Sequence, residues 1–326
     1  MALNITVLGL GPLGAALGLA LGTLDPKVLD VGRPVIVGWD RDKRAMADAR
    51  GRLAADRVEA DLVAAVRDAD VVIVTVPHAD MRDILSTIAP ALRPGAIVTD
   101  TASSKADVLE WATALLPETV EFVGGHPLAG IESGGREPRA DIFQDTIYCL
   151  VPLPRTRRSA LDGVEALVMA IGAKPYYIDA VEHDSYAAAA GHLPLAVAVA
   201  LMETLSRSGG WREIQAIAGE ALLGMTELSA GGSEESADAL LSNTAALEGW
   251  IDRMIGSLVE IRRSVHDPVA LQAVLEHARD ARDSWTRSRP HMRPGEEDFQ
   301  SNVAEVERPN VSGLFFGRRT LRDKRR

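Results

Sequence analysis

The segment Gly9-Leu10-Gly11-Pro12-Leu13-Gly14 constrains this chain more than any other. It follows an apolar run, Asn4–Leu8, and opens an Ala/Leu-rich stretch, Leu13–Leu21. Glycines at this spacing permit a tight turn, a close approach of backbone to pyrophosphate, and close packing of helix on strand. The helix begun there offers unpaired N–H groups and a positive dipole end to phosphates. A strand, this turn and a helix are the opening of a dinucleotide-binding Rossmann unit. Gly9, Gly11, Leu13 and Gly14 are the cofactor contacts it predicts.

The pattern downstream agrees. Val35–Trp39, Val71–Val76, Ile97–Thr99, Val120–Val123 and Ile147–Val151 read as buried strands, and Pro175–Ile178 adds one more strand. Helical stretches such as Met81–Leu92, Lys105–Leu115 and Arg158–Ile171 lie between them. Alternation of this kind predicts an α/β fold with a doubly wound parallel sheet. Asp40 ends the second strand, where a carboxylate suits the ribose hydroxyls of NAD and repels the extra phosphate of NADP. Arg41 beside it softens that preference without reversing it, so NAD is the expected cofactor. Pro77, directly after Val71–Val76, joins the cofactor set, and no metal site is read.

From about Val181 the strand signal stops. Asp184–Ser206, Trp211–Leu228, Ser236–His266 and Leu271–Thr286 read as helices. The expected organisation is a Rossmann domain over 1–180, an all-helical substrate and dimerisation domain over 181–286, and a polar tail over 287–326 that packs on the surface or on a neighbouring subunit. The Ala-rich stretch Asp184–Ala200 is too apolar for a lone solvent-facing helix, which predicts a homodimer.

Composition narrows the partners. A net charge of −11 argues against nucleic acid, whose phosphates need a basic field. An anionic small-molecule substrate must then meet a local cationic patch. The apolar start, Ile5 to Leu21, lacks the Lys/Arg that precede a secretion signal. No uninterrupted apolar stretch long enough to cross a bilayer follows, so no membrane span is expected. The single cysteine, Cys149, fits a reducing compartment, and a cytoplasmic location is the expectation.

Two motifs follow strands at the carboxyl edge of the sheet, where such folds bind ligands. They are Asp100-Thr101-Ala102-Ser103-Ser104-Lys105 and Gly124-Gly125-His126-Pro127-Leu128-Ala129-Gly130-Ile131-Glu132-Ser133-Gly134. Flanking glycines and a proline place His126 on a constrained loop facing the cofactor crevice. A histidine there can take a hydroxyl proton while hydride leaves the same carbon. Ser103 can hydrogen-bond both that imidazole and the substrate oxygen. A loop histidine that only caps backbone groups is the competing reading.

These motifs resemble the D-x-x-S-x-K and G-G-H-P-x-x-G-x-E-x-S-G segments of the prephenate dehydrogenase family. His183-Asp184 and His192-Leu193-Pro194 resemble the start of that family's helical domain, and the likeness covers roughly residues 3–265. It implies oxidative decarboxylation of prephenate, or of its amino analogue arogenate, on the route to tyrosine. By position, His126 would accept the proton and Ser103 would assist it. The family's helical motif S-H-L-P-H is Gly191-His192-Leu193-Pro194-Leu195 here, so its Ser and last His are absent. The arginine of its G-F-R-D-x-T-R-I-A motif, which grips a substrate carboxylate, is Ala216. His192 and Arg212 are the substrate contacts carried forward, with Arg136 and Arg139 as further cationic candidates.

Two other readings stay open. One is a Rossmann dehydrogenase acting on a different cyclic or hydroxy acid. The 3-hydroxyacid dehydrogenases share this plan but use a lysine in the first long helix of the second domain, and Asp184–Ser206 contains none. The other is a non-catalytic NAD-binding member; the lost substrate residues speak for it, and the presence of Ser103 and His126 against it.

Overall fold

The computed structural model describes residues 2–24, 32–129 and 137–288. Strands β1 (Asn4–Leu8), β2 (Val35–Trp39), β3 (Arg57–Val58), β4 (Val71–Val74), β5 (Ile97–Asp100), β6 (Glu121–Pro127), β7 (Ile147–Pro152) and β8 (Lys174–Tyr177) form one sheet. Its order is β3-β2-β1-β4-β5-β6-β7-β8. The order reverses between β1 and β4, which opens a crevice beyond their carboxyl ends. Alternate side chains serve opposite faces: Val71 and Ile73 enter one core, Val72 and Val74 the other. Helices α1 (Pro12–Gly22), α2 (Lys43–Gly51), α3 (Leu62–Val66), α4 (His78–Ile88), α5 (Ala106–Leu115) and α6 (Arg158–Ala170) divide between those faces. α1, α2 and α6 cover one, and α3, α4 and α5 the other.

The sheet departs from expectation in two places. Strand β7 runs antiparallel to β6, although an all-parallel sheet was expected. Parallel neighbours need a crossover helix; among the described residues, the connection holds only the 3-10 turn Ala140–Phe143. That pairing also lengthens β6. His126 therefore lies in a strand, opposite Cys149, and not on a loop.

Beyond β8, α7 (Ala180–Ala187), a π-helical turn (Ala188–His192) and α8 (Leu193–Ser206) run as one continuous helix. α9 (Trp211–Ile217), α10 (Glu220–Thr226), α11 (Ser233–Leu241), α12 (Thr244–Ser264) and α13 (Pro268–Ser288) follow. The two long helices expected over 211–228 and 236–266 are each broken. The first breaks at Ala218-Gly219, where glycine lowers helix stability. The second breaks at Asn243, whose side-chain amide donates to the Asp184 carbonyl oxygen at 2.7 Å. The tail beyond Ser288 lies outside the described residues.

The continuous helix Ala180–Ser206 is long and apolar enough, by length and composition, to cross a membrane. The helix also carries a buried His183-Asp184 pair, and Trp250 Nε1 donates to its Ser185 carbonyl oxygen at 3.0 Å.

Candidate active site

The glycine turn forms at the carboxyl end of β1. Gly9 has φ +94°, and a Cβ there would lie 2.6 Å from the Thr75 carbonyl oxygen. A Cβ on Gly14 would lie 1.9 Å from the Gly9 carbonyl oxygen, so helix and turn can meet only with glycine. Thr75 holds the turn closed by donating from Oγ1 to that same oxygen at 2.6 Å. The sequence offered a hint of it, a hydroxyl residue ending an all-apolar run, but no reason to expect its partner. Gly11 has no atom within 4 Å of its would-be Cβ, which is the open space a pyrophosphate needs. Gly11 also takes the cap position of α1 without a side-chain cap, leaving the first-turn amides, Leu13 and Gly14 among them, aimed at that space. Leu13 itself packs its side chain against the core.

Asp40 stands beside this turn, accepting from Leu10 N at 2.6 Å and Asp42 N at 2.7 Å. A carboxylate has about four lone-pair sites, so ribose hydroxyls can still be received. These residues fit NAD. Pro77 opens α4 on the same edge of the sheet. The next two amides, His78 N and Ala79 N, donate to the Asp238 carboxylate of α11 at 2.7 and 2.9 Å.

Further along that edge, the helical segment enters the sheet domain. His126 Nδ1 lies 2.9 Å from His183 Nε2, and His183 Nδ1 lies 2.8 Å from Asp184 Oδ1. Asp184 also accepts from Lys105 N at 2.6 Å and Ala106 N at 2.9 Å. With both rings neutral, the hydrogen-bond inventory gives one order of protons. The carboxylate can only accept, so His183 carries its proton on Nδ1. The Nε2 of the neutral ring accepts, so His126 donates from Nδ1. Nε2 of His126 is left as the nitrogen with the lone pair. Burial, then the neighbouring His183 and Lys105, push the His126 pKa well below the ordinary imidazole value, so the ring stays neutral. Burial raises the Asp184 carboxyl, but its bonds to His183 and the two amides outweigh that and lower it.

A buried ion pair fixes the other side of His126. Lys105 Nζ pairs with Asp100 and donates to the Gly125 carbonyl oxygen at 2.7 Å, while Gly125 N donates to Asp100 Oδ1 at 3.0 Å. Both backbone groups of the residue before His126 are therefore held. Gly125 has to be glycine, since a Cβ would lie 2.5 Å from the Asp100 carbonyl oxygen.

Ser103 sits differently from expectation. Its Oγ lies 3.2 Å from His192 Nε2, and the hydrogen-bond partner of His126 is His183. So the fold gathers Ser103, His126 and His192 with His183 and Asp184, two residues that carry no site role in the sequence analysis.

The amino-acid sequence matches the family models for the prephenate dehydrogenase nucleotide-binding domain over residues 30–177 and the prephenate dehydrogenase dimerization domain over 179–276. This chain belongs to the prephenate dehydrogenase family. It is thereby an oxidoreductase that uses NAD. It is 28% identical over 265 residues to a cyclohexadienyl dehydrogenase of Zymomonas mobilis, covering 80% of this chain and 88% of that one. Against a prephenate dehydrogenase of Bacillus subtilis it is 26% identical over 285 residues, covering 86% and 75%. The fold is that of Synechocystis arogenate dehydrogenase, with TM-score 0.70, 25% identity, and 87% and 100% of the two chains covered. An Aquifex aeolicus prephenate dehydrogenase solved with hydroxyphenyl propionate and NAD+ has the same fold, with TM-score 0.76, 22% identity, and 88% and 98% covered.

Gly191 and Ala216 stand where the resemblance implies a polar grip on the substrate. Gly191 faces open space with no atom within 4 Å of its would-be Cβ, and Ala216 is exposed on α9. Arg212 is exposed on α9 as well and makes no hydrogen bond or ion pair among the described residues. Arg139 is bound to Asp141, Nε to Oδ1 at 2.9 Å. Arg136 lies outside the described residues, as do Gly130–Gly134 of the histidine motif.

Proposed function

We propose that this chain oxidatively decarboxylates prephenate or arogenate with NAD, as a cytoplasmic homodimer on the route to tyrosine. In this reading residues 1–180 bind the dinucleotide and 181–286 close the substrate site and pair with a second copy. The observation that carries it is the Asp184–His183–His126 chain, which leaves an unprotonated Nε2 on His126 beside the cofactor crevice. Bound NAD supplies the hydride acceptor. His126 Nε2 takes the proton of the substrate hydroxyl as hydride leaves the carbon that bears it. The ring's carboxylate then departs as CO2, and its bonding electrons complete an aromatic ring. Ser103 and His192 form a second polar pair that can orient the reacting oxygen. The Asp100–Lys105 clamp keeps His126 in place during transfer.

Homodimerisation is supported by the dimerization-domain match and by apolar surface on the helical segment. The same surface accounts for the apolar average of Ala180–Ser206 without a bilayer. The reading is tested by following NADH formation with prephenate, arogenate and a set of hydroxy acids. Turnover on prephenate or arogenate with release of CO2 is the expected result. Turnover confined to a hydroxy acid without CO2 release would replace it with the wider dehydrogenase reading.

A further inference from the structure

Arg41 stands where an arginine would serve the wrong cofactor. In Rossmann domains an arginine near the end of the second strand accommodates the 2′-phosphate of NADP, while the acidic residue there receives the free hydroxyls of NAD. Here the two occur side by side, as Asp40 and Arg41. The backbone around them is pinned, because both Asp40 oxygens accept main-chain amides. The Arg41 side chain, 72% exposed, is long enough to choose between partners. Its Nη1 donates to Asp80 Oδ2 at 2.8 Å. Asp80 lies in the first turn of α4. Since β1 lies between β2 and β4, this pair reaches across the mouth of the glycine turn, a span of about 10 Å between strand axes.

We propose that Asp80 is a cofactor-discriminating residue: it draws the Arg41 guanidinium toward α4, away from the ribose side of Asp40. The proposal rests on the NAD reading of the glycine turn. It assigns discrimination to two carboxylates from different elements, one receiving the hydroxyls and one withdrawing the arginine that would welcome a phosphate. Lys43 and Arg44, exposed on the first turn of α2, are the other cations near that edge.

The test is equilibrium binding of NAD and NADP by calorimetry, which needs no substrate and no turnover. Asp80→Ala and Asp80→Asn are expected to tighten NADP about tenfold, the scale of one charge-assisted contact, with NAD changed by less than about twofold. Combining either with Arg41→Ala is expected to restore the wild-type ratio. An unchanged ratio in both single variants overturns the proposal. So does a gain that survives Arg41→Ala, since it would then come from lost repulsion or from Lys43 and Arg44. A wild type that binds neither nucleotide defeats the cofactor reading itself, which is a different readout.

Discussion

The sheet domain and the helical segment are built from similar residues but finish their interiors differently. Each face of the sheet closes over its own core, with Ile5, Val7, Val72 and Val74 fully or almost fully buried. Across α8–α13 the buried apolar side chains are Ala198 and Leu247. Ile255, Leu258, Ile261 and Val265 instead form an exposed stripe along and just past α12, at the three- and four-residue spacing of one helical face. Burying such a side chain stabilises by about 1.5–3 kcal/mol, and a stripe of them left in water is a large unmet term. One region closes its own core; the other leaves apolar surface open. The candidate site lies on the seam, with His126 from the first region and His183, Asp184 and His192 from the second.

The largest test of that contrast removes the sheet's contribution to the seam. His126→Asn should keep NAD binding and the fold while lowering kcat by about 10²–10⁴-fold. Near-normal turnover would break the proposed mechanism. Next comes the helical contribution. Asp184→Asn places an amide nitrogen against one of three groups that all donate, Lys105 N, Ala106 N and His183 Nδ1. The proton order on both histidines is then no longer enforced, and kcat should fall about 10²-fold with little change in NAD affinity. Equal loss of NAD binding would show that Asp184 only joins the two regions.

A third test addresses the unfinished core. Leu258→Asp should weaken self-association at least about tenfold, seen as monomers by light scattering at concentrations where wild type is dimeric. Unaltered mass would place the dimer surface elsewhere. The smallest effect is on pH dependence. His126 acts neutral, and its pKa is held below the ordinary imidazole value by burial. The acid limb of kcat/KM should therefore fall below about pH 6.5, with activity lost as pH drops through the lowered value. A limb at or above the ordinary value would mean that His126 is more solvated than this fold makes it.

Local signals made much of the sheet domain readable from sequence. Every strand except β3 and the half-exposed β8 follows an apolar run, and the glycine turn carries its own steric reason. Three features were hidden because they depend on distant partners. The antiparallel β7 and the extension of β6 over His126 arise from a pairing that only the folded sheet creates. His183 meets His126 across 57 residues, and His192 meets Ser103 across 89, so periodicity within either segment could not join them. The helices over 211–228 and 236–266 overran because Gly219 and Asn243 lie inside helical patterns, and the amide of Asn243 finds its partner only in the fold.

The π-helical turn at Ala188–His192 has a consequence for which way the helix looks. His183 and His192 are nine positions apart. At about 100° per residue they would face opposite sides of an unbroken α-helix. The wider turn takes in one more residue than an α-turn, setting everything after it back by about 100°. That phase slip brings both imidazoles round to the seam and turns the apolar side of α8 with them. Wound as an unbroken α-helix, the same residues would swing His192 away from Ser103 and re-aim the surface offered to a second copy, whereas deleting one residue between Ala187 and His192 would leave both faces set as the π-turn sets them. The way one surplus residue is wound in thus keys the catalytic and assembly faces of this helix to each other.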